Sequence, residues 1–423
     1  MPYRYRVLTL LFLLSMITYL DRICIAVAGP EMQKDLGLSP SQWGWVLGIF
    51  ALSYALFEIP SGAMGDRIGP RRVLTRIVVW WSAFTSLTGL ANSYAVLLLT
   101  RFAFGAGEAG AYPNSSASIA RWFPVAERGR AHGTVWTASR VGGALTPLLV
   151  VPIVAAYGWR TAFYLFGGVG LVWAIVWFWW YRDTPSEKRG VSPEEIAHIG
   201  AAPPKAHVAM PWRQVLGRKN LWLIMIMYHA YCWGAYFYFS WMPTYLRAGR
   251  GFSADEMKIY AMLPYVAGAF GNMTGGALSD ALVRRFGLKI GRRAVAASGL
   301  AAAALCLFGT AVVESRGLAV VLLTLGLFSM DCMLPVSWSV CLDVGGRHAG
   351  AVTGSMNMAG QFGSFVSSIA FGALVEAFGG RYDLPLIVFA GMLGISAVLF
   401  TLIDPTDPLV REPAGVPDAP TPA

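Results

Sequence analysis

The chain has 423 residues, of which 56% are hydrophobic and only 13% charged, and 33 Lys and Arg against 23 Asp and Glu give it a formal charge of +10. A soluble domain carries about a quarter charged residues and under half apolar ones, so the ordinary soluble enzyme, intrinsic disorder, collagen and disulfide scaffolds are excluded. The five cysteines (Cys24, Cys232, Cys306, Cys332 and Cys341) lie in apolar stretches without CxxC or Cys/His spacing, and read as small core residues.

A helix needs about 20 apolar residues to cross a hydrocarbon core of roughly 30 Å. Twelve stretches meet this, near residues 7–27, 43–65, 73–92, 95–120, 131–156, 161–181, 220–246, 257–281, 294–313, 318–342, 349–377 and 384–404. The first is expected to be a span and not a secretory signal, because its apolar run is too long and Ala28-Gly29-Pro30-Glu31 offers no small-residue cleavage site. With the N-terminus inside, the inner connections hold 23 Lys and Arg, among them Arg67, Arg71, Arg72, Arg121, Arg128, Arg284 and Arg285. The outer ones hold seven: Lys34, Arg160, Arg247, Arg250, Lys258, Arg316 and Arg381. The positive-inside rule then puts both termini in the cytoplasm, and the basic charge is absorbed by topology with no cluster left for nucleic acid.

One long polar connection, rich in proline, divides the spans six and six. The expected organisation is a first six-helix half at 1–182, a linker at 183–219, a second half at 220–405 and a tail at 406–423. Three short repeats support two related halves: Gly62-Ala-Met-Gly-Asp66 returns as Gly276-Ala-Leu-Ser-Asp280, Arg130-Ala-His-Gly133 as Arg347-His-Ala-Gly350, and Ala156-Tyr-Gly-Trp-Arg160 as Ala377-Phe-Gly-Gly-Arg381. The fold class is therefore an all-α membrane protein, twelve transmembrane helices in two pseudo-symmetric halves, with a substrate site between them near the midplane.

Gly65-Asp66-Arg67-Ile68-Gly69-Pro70-Arg71-Arg72, between the second and third spans, resembles the G-D-R-x-G-x-R-R signature of the major facilitator superfamily. Tyr19-Leu20-Asp21-Arg22, the Arg101/Glu108 pair seven residues apart, and Ala120-Arg-Trp-Phe-Pro124 followed by Glu127-Arg-Gly-Arg130 resemble the anion:cation symporter family within it. That family includes bacterial carriers for hexonates, hexuronates and glucarate, and animal carriers for sialate and glutamate. The resemblance implies a bacterial inner-membrane protein that imports a small organic anion, such as a sugar acid, with protons by alternating access.

Ionisable groups inside spans cost at least about 2.5 kcal/mol each at the helix centre and so need a partner or a function. They are Asp21, Arg22, Glu58, Arg101, Glu108, Arg140 and Asp331. At about 1.5 Å of rise per residue, Asp21 and Arg101 reach the same depth, and Glu108 and Arg140 form a second possible pair. Arg22 is left over, and its free planar fork suits a carboxylate. The resemblance likewise gives the first-span arginine to the substrate carboxylate, and makes Asp21 and Glu108 the proton-coupling acids, with Arg101 alongside. Asp21–Arg101 can equally be a structural pair. Arg140, beside Gly142-Gly143, can serve substrate or helix contact. Glu58 reads as a partner of the basic loop, and Asp331 as either a cavity residue or a cap before Pro335.

In the eleventh span Asn357 and Gln361, four apart, share a face that continues through Ser364 and Ser368. This stripe suits hydroxyl-rich substrates or simple packing, and the resemblance favours Asn357 as a ligand. The aromatic-dense seventh span offers Tyr228, His229 and Tyr231, and Tyr54 joins the candidate ligands from the second. Asp66, Arg67, Arg71 and Arg72, with Asp280, Arg284 and Arg285 in the other half, read as gating charges that hold the inner side shut in one state. No GxSxG, HExxH or P-loop is present and the five histidines do not cluster, so catalysis, metal and cofactor are not expected. A monomer is expected, with the anion, protons and lipid as its partners. The alternative is an antiporter of organophosphates or other organic anions. The seventh span has no arginine before Arg247, where carriers of organophosphates in the related family use one, and this lowers that reading.

Overall fold

The computed structural model describes residues 2–200 and 211–410, without the side chains of Ile59, Ala63, Asp66, Val125, Ala126 and Arg347. Every long element is helical. The first half holds α1 (Tyr3–Val27), α2 (Pro40–Ile68), α3 (Pro70–Thr88), α4 (Tyr94–Glu108, continued by Ala111–Trp122), α5 (Val125–Tyr157) and α6 (Trp159–Trp180). The second holds α7 (Lys219–Tyr236, continued by irregular turns to Gly249), α8 (Met262–Phe286), α9 (Leu288–Val312), α10 (Arg316–Gly345), α11 (Ala349–Ala377) and α12 (Leu384–Leu402). Seven of these are long and apolar enough to cross a membrane by composition alone. Large apolar side chains exposed on the outer surface, such as Leu99, Val172, Trp179, Leu305 and Val398, mark the lipid-facing side.

Local chemistry sets the helix ends. Ser39 caps α2 in a capping box with Gln42, and Ser93 and Ser315 cap α4 and α10. Gly69 and Gly287 take the same left-handed conformation, φ 88° and 83°, at the equivalent turns between α2 and α3 and between α8 and α9. The fourth expected span is continuous in sequence but broken in the structure. Gly110, at φ 90°, interrupts it where a Cβ would come within 2.4 Å of Ser61, so α2 and α4 cross in close contact.

The two halves repeat one packing scheme. In the first, α1 packs on α5, α2 on α4 and α3 on α6; in the second, α7 packs on α11, α8 on α10 and α9 on α12. Between the halves, α2 lies on α11 and α5 on α8, two contacts that exchange when the halves are swapped. Pseudo-symmetry expected from short repeats is thus carried by the whole architecture.

The two sides of the bundle differ. On the side away from the termini the halves are latched together: Arg247 pairs with Glu31 at 3.2 Å, and the Ser41 N–H donates to Glu376 at 3.0 Å. On the terminal side, no ion pair among the described residues joins one half to the other. Arg4 meets Glu127 at 3.1 Å in the first, and Arg292 bridges Asp280 at 3.1 Å and Asp343 at 3.2 Å in the second.

Candidate functional site

Between the halves lies a cavity of about 130 Å³. Its walls carry Arg22, Tyr54, Glu58, Arg101, Arg140, Tyr231, Asn357 and Gln361, with an aromatic lining of Tyr19, Phe50, Tyr112, Trp136, Phe239 and Trp338. Toward the terminal side the halves meet through side chains, with Trp136 and Trp338 in contact at 5.6 Å between ring centres.

The charges pair differently from the depth estimate. Arg22 is not free: its Nε–H donates to Glu108, which is fully buried. Arg140 does not meet Glu108. It crosses the seam instead and donates from Nη2 to Asp331 at 2.8 Å. Helical rise fixes depth alone, whereas the direction each side chain takes brings Arg22 of α1 to Glu108 of α4 and Arg140 of α5 to Asp331 of α10 across the seam. Asp21 and Arg101 form no ion pair among the described residues. Neither Asp21 oxygen has a hydrogen-bond partner, and the Arg101 guanidinium lies over Phe104 at 4.2 Å and Phe50 at 5.6 Å.

Glu58 is also a correction. It is not a partner of the basic loop but a wall residue of the cavity, where the Asn357 amide donates to both its oxygens at 2.8 Å. Gln361 accepts from the Tyr236 hydroxyl at 3.1 Å. His229 stands outside the cavity wall, its ring held by the Ala359 carbonyl and by Trp233.

Of the expected gating groups, the Asp66 side chain lies outside the described residues, and Arg67, Arg72, Arg284 and Arg285 are exposed. Arg71 is tied to its own half: its N–H donates to Asp183 at 2.9 Å and its Nε–H to the Phe178 carbonyl at 2.9 Å. Burial holds the Asp183 carboxyl above its usual range despite this bond. In the second half Asp280 pairs with Arg292, a residue the motif comparison passed over, and not with Arg284 or Arg285.

Electrostatically the site favours an anion. Arg22, Arg101 and Arg140 face the cavity, whereas Asp21, Glu108 and Asp331 stand behind its walls, so among the described residues only Glu58 presents an acid to it, already covered by an amide. Sequence signals for the missed wall residues exist: Tyr19 stands three before Arg22, Trp136 four before Arg140, and Trp338 seven after Asp331, each pair on one helical face.

The family model described as Major Facilitator Superfamily matches residues 11–368. This chain belongs to that superfamily. Among its relatives are a probable sulfoacetate transporter, SauU, of Cupriavidus necator, 37% identical over 95% of this chain and 94% of the relative, and the hexuronate transporter of Bacillus subtilis, 29% identical over 97% and 96%. A probable galactarate/D-glucarate transporter, GudP, of Escherichia coli is 29% identical over 95% and 93%. A solved superfamily fold, the bacterial homologue of the human lysosomal transporter Spinster in an inward-facing, occupied conformation, superposes with a TM-score of 0.77 at 22% identity, covering 95% of this chain and 97% of that one. The chain is thus a multi-pass membrane protein whose relatives are transporters of small organic anions, not enzymes.

Proposed function

We propose that this protein imports a small organic anion together with protons by alternating access, with the terminal side cytoplasmic. The relatives named for sulfoacetate, hexuronate and galactarate or glucarate support an anionic substrate, and the excess of Lys and Arg on the terminal connections supports the orientation.

The observation that carries the coupling is the buried Arg22–Glu108 pair, with Arg22 in the cavity wall and Glu108 behind it. An incoming carboxylate competes for the guanidinium. A desolvated acid that has lost its cation favours its neutral form, so substrate arrival and proton uptake by Glu108 are linked. Asp21, buried without a hydrogen-bond partner next to Arg22 in sequence, is the second acid in this scheme, with Arg101 tuning it. Latches at Arg247–Glu31 and Ser41–Glu376 hold the far side shut in this conformation, and must part for the cavity to face outward. Arg140, Tyr54, Tyr231, Asn357 and Gln361 complete the substrate wall; His229, outside it, acts by supporting α11. Asp66, Arg67, Arg71, Arg72, Asp280, Arg284 and Arg285 close the cytoplasmic side in the alternate state.

The test is uptake of sulfoacetate, hexuronate and glucarate into proteoliposomes with an imposed inward proton gradient. Gradient-driven accumulation by the wild type, and its loss in Glu108→Gln with counterflow exchange retained, are the expected results. Accumulation by Glu108→Gln that still follows the gradient rejects the coupling role.

A further inference from the structure

We propose that the cavity is built for a dianion, with one anionic head on Arg22 and the other on Arg140. This rests on the organic-anion reading above and narrows it to a substrate class. Both arginines line the cavity, and each spends part of its fork on a buried acid, Glu108 and Asp331 respectively. Each also keeps a buried donor without a partner, Arg22 Nη2 and Arg140 Nη1. A buried donor left unmet is destabilising, and a substrate oxygen at each site would satisfy it.

The two sites are linked through one aromatic pair. Arg22 sits 5.4 Å from the Tyr19 ring, Arg140 sits 5.4 Å from the Phe239 ring, and the two rings meet edge to face at 5.8 Å. Arg101, the third cation of the wall, also keeps two donors without a partner, Nε and Nη1, but it holds no acid partner that a substrate would displace, and its guanidinium lies over Phe104 and Phe50. The amides of the wall and Ser364 are already engaged. Asn357 is engaged by Glu58, Gln361 by Tyr236, and the Ser364 hydroxyl by the Gly360 carbonyl. The two arginines then supply the charge that selects the substrate, with Tyr54, Tyr228 and Tyr231 of the wall left for hydrogen bonds. Because Asp331 comes from the second half and Arg140 from the first, the head bound at Arg140 also competes for the ion pair that ties α5 to α10.

Calorimetric titration of the purified full-length protein in detergent tests this with matched probes: glucarate against gluconate, and sulfoacetate against lactate. The dianion of each pair should bind at least about tenfold more tightly to the wild type. Arg140→Gln should narrow that gap to within about threefold by weakening dianion binding, and Asp331→Asn, which frees Arg140, should widen it. Should Arg140→Gln fail to elute as a monodisperse species, the Arg140→Gln/Asp331→Asn double variant, which leaves no unpaired buried charge at the site, carries the same expectation. Equal affinities in the wild type, or a gap that survives loss of Arg140, overturn the dianion assignment and leave the carrier reading intact. Binding of none of the four anions overturns both.

Discussion

Asn357 of α11 holds both carboxylate oxygens of Glu58 of α2 at 2.8 Å, a bidentate contact between residues 299 apart that spans the seam of the two halves in the cavity wall. The amide neutralises no charge but engages both oxygens, so the one carboxylate in the cavity wall among the described residues is partly covered against an incoming anion. Asn357→Ala leaves Glu58 exposed to the substrate, and the apparent KM for anion uptake is expected to rise by about tenfold or more. Adding Glu58→Gln to that variant removes the repelling charge and should recover most of the loss. A double variant no better than Asn357→Ala would show that the amide itself binds substrate.

Arg22 makes a sharper case for geometry over charge. Its Nε is committed to Glu108 and its guanidinium is framed by Tyr54 at 4.8 Å and Phe50 at 5.2 Å. Lysine keeps the charge but loses the planar fork that can hold an acid and a substrate at once. Arg22→Lys is therefore expected to raise the apparent KM at least about tenfold in counterflow, with protein yield and Tm close to wild type. An unchanged KM would remove Arg22 from the substrate site.

The helices, the two halves and the cations of the site were legible in the sequence because length, hydropathy and intramembrane charge are local properties. Partner choice was not. Depth along a helix placed Glu108 and Arg140 at similar heights, but the azimuth of each helix decides who faces whom, and Arg140 turned to Asp331 while Glu108 turned to Arg22. Glu58 differs from its expected partner for a related reason: its place near the inner end of the second span suggests the basic loop, yet its face of α2 turns to Asn357 of α11 in the cavity wall. The break in α4 at Gly110 carried no sequence warning beyond the glycine itself, since its cause is the approach of Ser61 from another helix. In the second half the gating aspartate was found through its motif, whereas Arg292 lies outside the motif and is reached only through the turn at Gly287.

Below α12, Asp404 accepts from Lys289 at 2.6 Å and from the Thr406 hydroxyl at 2.6 Å, and these bonds hold its carboxyl well below the usual range. A carboxylate whose proton affinity is lower in the folded state contributes stability that is present above the unfolded value, about 3.9, and is lost as pH falls through the lower folded value. The group is partly exposed, so screening limits the effect to under about 1 kcal/mol. Asp404→Asn should lower the Tm of the detergent-purified protein slightly at pH 7, and the difference from wild type should shrink as the pH is taken below about 4. A difference that grows toward acid pH contradicts the assignment.

The far-side seam rests on glycines. A Cβ on Gly372 of α11 would stand 2.2 Å from the Pro40 carbonyl oxygen, and one on Gly44 of α2 would stand 2.7 Å from the Ser368 carbonyl oxygen, both backbone atoms of the opposite half that cannot swing aside. Close approach of α2 to α11 is therefore possible only with hydrogen at these positions, and the Ser41–Glu376 bond lies next to them. Gly372→Val should disfavour the closed far side without touching the cavity wall. The readout is labelling of Ser240→Cys, a buried cavity residue, by a membrane-impermeant maleimide added from the far side, in a background lacking the five native cysteines. Labelling in the Gly372→Val background is expected to exceed that in the parent by about tenfold, a shift of about 1.4 kcal/mol in the balance of the two states, while substrate-dependent counterflow slows. Labelling equal to the parent would mean that the seam closes by some other contact and that the glycines serve only the fit of helices within the resting state.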